Sequence, residues 1–170
     1  EIYKAKEMIT KFSAQRKVTA IIDFHGHFGA FNSFFYCNYD KEDLPKCRLF
    51  PIVANRLSEI IEFEKTKFSM PKCKNGTGRL VIYREIGIEN ILCLENSNFG
   101  CLNKKYAGKY FTPKILSEVG RDICLSILYN DYYTKNKDGI LCNCPSFEFE
   151  IKLRNKCKLI EEDFNNYLDK

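Results

Sequence analysis

The sequence predicts an α/β fold, a mixed parallel and antiparallel sheet flanked by helices. Three observations carry that expectation. Apolar residues at helical spacing over 2–16 lead into the β-branched run "VTAIIDF" at 18–24. Two more apolar runs of strand length follow, "FFYC" at 34–37 and "ENILCLEN" at 89–96. A long helical pattern then begins at Thr112-Pro113.

Each element has its own justification. Ile2, Ala5, Ile9 and Phe12 form one stripe of an amphipathic helix. The continuous run at 18–24 is expected of a strand buried on both faces. Residues 40–51 are polar and contain proline, which predicts a loop, and "VANRLSEIIEFE" after them predicts a helix. In "KCKNGTGRLVIYRE", Asn75-Gly76 and Gly78 are expected to supply φ > 0 positions in a turn that runs into a strand at "LVIY". Thr112 before Pro113 is a good N-cap and first-turn pair for a helix through Leu116, Val119, Ile123 and Ile127. Beyond Thr134 the chain is polar to about Ser146, then predicts a strand at "FEFEIKL" and a short closing helix. No internal repeat or low-complexity segment interrupts the chain.

Composition narrows the function classes. At 170 residues, 45% of them hydrophobic, the chain fits one globular domain with its own core. No apolar run approaches the roughly 18 residues that span a bilayer, and the mixed, charged opening is unlike a signal peptide, so no membrane is expected. Nine cysteines, an odd number with no CxxC spacing, point to free thiols and a reducing compartment, the cytosol. The net charge of +5 comes from dispersed lysines and arginines, with no basic block interleaved with aromatics, so no nucleic acid is expected.

In open α/β sheets ligands gather beyond the carboxyl ends of the strands. Two polar groups stand at such ends, His25 after "AIIDF" and Glu95 after "NILCL". A neutral imidazole suits zinc, and a carboxylate near a zinc-bound water suits general-base work. A hydrogen-bonded structural histidine is the competing reading. The His25-x-His27 spacing also resembles the start of an amidohydrolase barrel, but such sites draw on further histidines, and this chain has only two.

The motifs "DFHGH", "NSFFYC", "LFP", "KFSMPKCKNGTGRLVIYREIGIENILCLENSNFG" and "YFTPKILSEVGRDIC", in this order, resemble the cytosolic carboxypeptidases, zinc enzymes that trim glutamates from tubulin tails. The resemblance runs from Ile2 to about Tyr133. It implies a zinc-carboxypeptidase-like fold of which residues 1–133 are the C-terminal half of the catalytic domain; residues 134–170 lie outside the resemblance and are expected to be an extension packed on the same domain. It assigns His25 as a ligand of one zinc ion and Glu95 as the general base. Arg79 becomes the candidate for the departing acidic side chain, since an Arg fork pairs a carboxylate bidentately. Implied partners are acidic protein C-terminal tails, tubulin among them, in a cytoplasmic setting that includes microtubules or cilia.

The chain also departs from that pattern. The family holds zinc with an HxxE motif plus the later histidine, and no HxxE occurs in the 170 residues. The remaining ligands are therefore expected upstream, and this chain alone is expected to be inactive. After "DFHGH" stand Phe28, Gly29, Ala30 and Phe31 where the family has serine and a basic cluster. After Glu95 stand Asn96, Ser97 and Asn98 in place of small apolar residues. The alternative is a pseudoenzyme or fragment that binds acidic tails or microtubule partners without cleaving them.

Overall fold

The fold is described from a computed structural model, over residues 2–39, 44–102, 104–137 and 162. Helix α1 spans Ile2–Gln15, followed by strands β1 (Ile21–His27) and β2 (Ser33–Cys37). Helix α2 (Leu44–Leu57), the short β3 (Lys67–Phe68), helix α3 (Gly78–Ile86), strand β4 (Ile91–Ser97) and helix α4 (Pro113–Lys137) complete the order. The strands form one mixed sheet in the order β1-β4-β2-β3. β1 runs parallel to β4, β2 antiparallel to β4, and β3 parallel to β2. The sheet class is the one expected, and β4 lies inside it with β1 at the edge.

Alternation along β4 divides the sheet into two faces. Leu92 and Leu94 point into the main core with Phe35, where Phe50 and Ala54 of α2 and Val119 and Ile123 of α4 cover them. Phe35, Ile61 and Leu94 are fully enclosed there. A second apolar cluster joins Ile9 of α1, Ile82 and Tyr83 of α3, and Ile21 and Ile91 at the start of the two strands. An ion pair between Lys6 and Glu85 ties the same two helices together. The first cluster takes the even-numbered face of β4, and the second covers the opposite face only where Ile21 and Ile91 begin the two strands, leaving Asp23, His25, Cys93 and Glu95 outside both.

Several expectations need correction. β1 is shifted to Ile21–His27 and is not buried on both faces, because Asp23 through Gly26 are exposed along an edge. His25 therefore lies within the strand and not just past it. Where a loop was expected, α2 begins at Leu44 and carries Pro51 in its interior. The expected helix over 53–64 stops at Leu57. Ser58 Oγ accepts hydrogen bonds from the Ile60 and Ile61 backbones, and Ile61 then bridges to Ser33 beside β2.

The strand expected at "LVIY" is a helix. Thr77 in extended conformation precedes it, and Gly87 at φ 76° closes it in the left-handed region. Leu80 and Tyr83 recur at helical spacing there, which overrides the β-branched character of the run. In this segment it is Gly87 that adopts positive φ, and Gly76 and Gly78 do not. Thr112 caps α4 as expected, its Oγ1 accepting from the Ile115 amide at 3.3 Å. The strand expected at "FEFEIKL" and the closing helix lie outside the described residues. No helix among the described residues is long and apolar enough to cross a membrane.

Candidate metal centre on the open sheet face

Parallel pairing sets β1 and β4 in register, with Asp23 beside Cys93, His25 beside Glu95 and His27 beside Ser97. Since side chains alternate along a strand, these residues all share the face opposite Leu92 and Leu94. β2 extends the same face with Phe34 beside Glu95 and Tyr36 beside Cys93. Positions 70 residues apart in the chain thus become neighbours through one ladder.

His25 Nδ1 lies 3.2 Å from Asp23 Oδ2 and 3.3 Å from Cys93 Sγ. One ligand atom from each of Asp23, His25 and Cys93 falls within 4.8 Å of the others. The Cys93 thiol also donates toward Glu95 Oε1 at 3.5 Å. Depth differs across the group: Asp23 and His25 are exposed, Cys93 is half-buried, and Glu95 is only 9% exposed. Burial, followed by the charges of Glu95 and Asp23, pushes the Cys93 thiol up to about 12. A nitrogen, a sulfur and a carboxylate oxygen are the donor types that zinc takes, so the residues present fit such an ion.

His27 does not join this group. Its Nδ1 accepts from the Gly29 amide at 3.0 Å, and its ring meets Phe34 edge-on at 5.1 Å. Of the two histidines, the structure therefore brings only His25 to the cluster.

Arg79 sits in the first turn of α3, half-buried. Its Nη1 donates to Asn38 Oδ1 at 2.6 Å and its Nη2 to the Ser69 carbonyl at 3.2 Å. Asn38, itself buried, donates from Nδ2 to the Ile91 carbonyl at the start of β4. This relay anchors the guanidinium to the strand that carries Cys93 and Glu95. Burial lowers the Arg79 pKa, but a guanidinium stays charged over the working range.

Sequence reasoning missed Asp23, Cys93 and Asn38. The first two precede His25 and Glu95 by two positions, the spacing that puts residues on one strand face. That signal becomes usable only once the strands are paired. A cavity of about 400 Å³ is lined by His25 and Ser97 together with Phe24, Gly26, Asn96 and Tyr110. Leu116 and Val119 extend it toward α4 from the carboxyl ends of β1 and β4.

No protein-family model matches the chain. Curated relatives do. The chain is 32% identical to cytosolic carboxypeptidase 2 of Mus musculus over 172 residues, 99% of this chain and 18% of that protein. It is 30% identical to cytosolic carboxypeptidase 2 of Xenopus tropicalis over 166 residues, 95% of this chain and 16% of that protein. Cytosolic carboxypeptidase 1 of Gallus gallus is 27% identical over 194 residues, 99% of this chain and 16% of that protein. The chain thus spans less than a fifth of the length of the curated relatives it matches.

Proposed function

The chain belongs to the cytosolic carboxypeptidase family, and from that premise we propose that it forms one wall of a zinc metallocarboxypeptidase active site. His25 is a zinc ligand, Glu95 the general base, and Arg79 the cation that meets an acidic side chain. The observation that carries this reading is the in-register pairing of His25 with Glu95 on one sheet face. Further ligands of the family's HxxE kind would come from a preceding segment.

When bound, zinc supplies Lewis acidity toward a scissile carbonyl and toward water. The chain's own residues do the rest. Glu95, held on the inner strand beside Phe34, accepts the proton of the attacking water and returns it to the departing amine. Arg79, fixed through Asn38 and Ser69, keeps further N–H donors of its fork for a carboxylate. Substrates of this kind are acidic protein C-terminal tails, tubulin's among them, in a cytoplasmic setting near microtubules or cilia. Phe28 and Phe31 at the exit of β1 replace cations, which weakens long-range attraction to a polyglutamate tail.

The test uses a polypeptide that carries this chain behind an HxxE segment and a peptide ending in glutamate. Glu95→Gln should cut turnover by at least about 100-fold, the range expected for loss of a general base, while bound zinc is retained. Undiminished turnover would remove Glu95 from the mechanism. Loss of zinc together with turnover would make it a ligand.

A further inference from the structure

We propose that Asn38 is a positioning residue for Arg79 and sets the acidic preference of the pocket, because it holds the guanidinium by a neutral acceptor and leaves its charge for a substrate carboxylate. The inference rests on the reading of Arg79 as the cation that meets an acidic side chain. It adds the residue that keeps that cation in place and uncancelled. Three observations carry it. Asn38, the residue after β2, is only 2% exposed, so its amide takes its partners from the protein. The two ends of that amide are engaged in opposite senses, Oδ1 accepting from Arg79 Nη1 at 2.6 Å and Nδ2 donating to the Ile91 carbonyl at 3.3 Å. A carbonyl only accepts, so the amide cannot turn over without setting its N–H groups against the guanidinium. The other hold on Arg79, the Ser69 carbonyl at 3.2 Å, is neutral as well.

The electrostatics around Arg79 has the same character. Among the described residues the groups that act on its charge are the thiols of Cys37 and Cys93, and no carboxylate joins them. Burial pushes both thiols up, Cys93 to about 12, so neither is charged near neutral pH. Taking a cation partly out of water among neutral partners is unfavourable, and an incoming carboxylate relieves that. The occupant that fits is a side chain ending in a carboxylate, whereas the corresponding amide offers the same shape without the charge. Asn38→Asp keeps the size and the acceptor, but it pairs Arg79 permanently and leaves that carboxylate no net charge to meet.

The experiment uses the polypeptide that carries this chain behind an HxxE segment, with two peptides that differ only in a terminal glutamate or glutamine. It reads the ratio of their kcat/KM values. In the unaltered protein the ratio should favour glutamate. Asn38→Asp should lower it about 10- to 100-fold, the size of a charge-assisted hydrogen bond, chiefly by raising KM for the glutamate peptide. Asn38→Ala frees the guanidinium without cancelling it and should lower the ratio less. A merely structural amide predicts the reverse order, since Asn38→Asp is the milder change of shape, with equal losses on both peptides. That order, or a ratio unchanged by Asn38→Asp, would overturn the proposal.

If Asn38→Asp does not fold, Asn38→Ser decides. It is too short to hold Arg79 and Ile91 together, so the ratio should fall, and an unchanged ratio would count against the proposal. Arg79→Ala separates the two levels. A ratio that collapses in Arg79→Ala but holds in the Asn38 variants sinks only the role of Asn38. A ratio that Arg79→Ala leaves unaltered sinks the reading of Arg79 and this inference with it.

Discussion

In the metal-free chain, Cys93 should be a slow thiol although it is only half-buried. The rise from 9.0 to about 12, caused first by burial and then by Glu95 and Asp23, cuts its thiolate fraction about 1000-fold below pH 9. The more basic thiolate is a better nucleophile, and a Brønsted slope of about 0.4–0.5 returns roughly 20-fold of that loss. Thiol–disulfide exchange at Cys93 should then run about 50-fold slower than at an ordinary cysteine. The exposed Cys73 and Cys124 serve as internal references, with each site followed by mass spectrometry. The rate at Cys93 should keep rising tenfold per pH unit past 9. Glu95→Gln combined with Asp23→Asn should recover part of the rate and leave the share due to burial. The sign extends to stability. The folded state keeps a proton that the unfolded chain loses between pH 9.0 and about 12, so this group's contribution is whole below that window and is lost as pH rises through it. Exchange at Cys93 as fast as at Cys73, levelling near pH 9, would refute the electrostatic picture of the face.

Three further outcomes follow from the packing and the anchoring. Leu94→Ala opens a cavity on the inner strand and should cost about 2–5 kcal/mol by urea denaturation, and a cost below about 1 kcal/mol would contradict its place in the core. At Gly100, φ is 102° and an added Cβ would stand 2.2 Å from the Lys109 carbonyl oxygen. Gly100→Ala should therefore cost about 2 kcal/mol or more, and a neutral effect on thermal melting would contradict this close approach of the two backbones. In a polypeptide completed by an HxxE segment, Arg79→Ala should lower kcat/KM on glutamate-ended peptides about 10- to 100-fold more than on neutral ones, the worth of a charge-assisted hydrogen bond. Equal losses on both would take Arg79 out of the pocket.

What the sequence disclosed depended on how local each signal was. The α1 stripe, the short apolar β2, the buried β4 and the Thr112 cap of α4 are written in adjacent residues and were legible. α3 was not, because Leu80 to Tyr83 look like a strand until Thr77 and Gly87 are seen to bracket one short helix. Two prolines hid α2, since Pro51 in a helix interior conflicts with propensity and is tolerated only in its packed setting. The edge position of β1 was out of reach, as apolar content says nothing of which strands lie beside it. The site divided in the same way. His25 and Glu95 were singled out from their strands as candidates, while Asp23, Cys93 and Asn38 gain neighbours only from partners about 50 to 70 positions away.

The central claim is that His25 and Glu95 act as one unit, and a double-mutant cycle on turnover of a glutamate-ended peptide tests it most directly. With the preceding ligand segment in place, His25→Gln and Glu95→Gln should each abolish most activity, and the double variant should lose little more than either alone. Losses that multiply in the double variant, or a wild-type rate in either single one, would contradict the account.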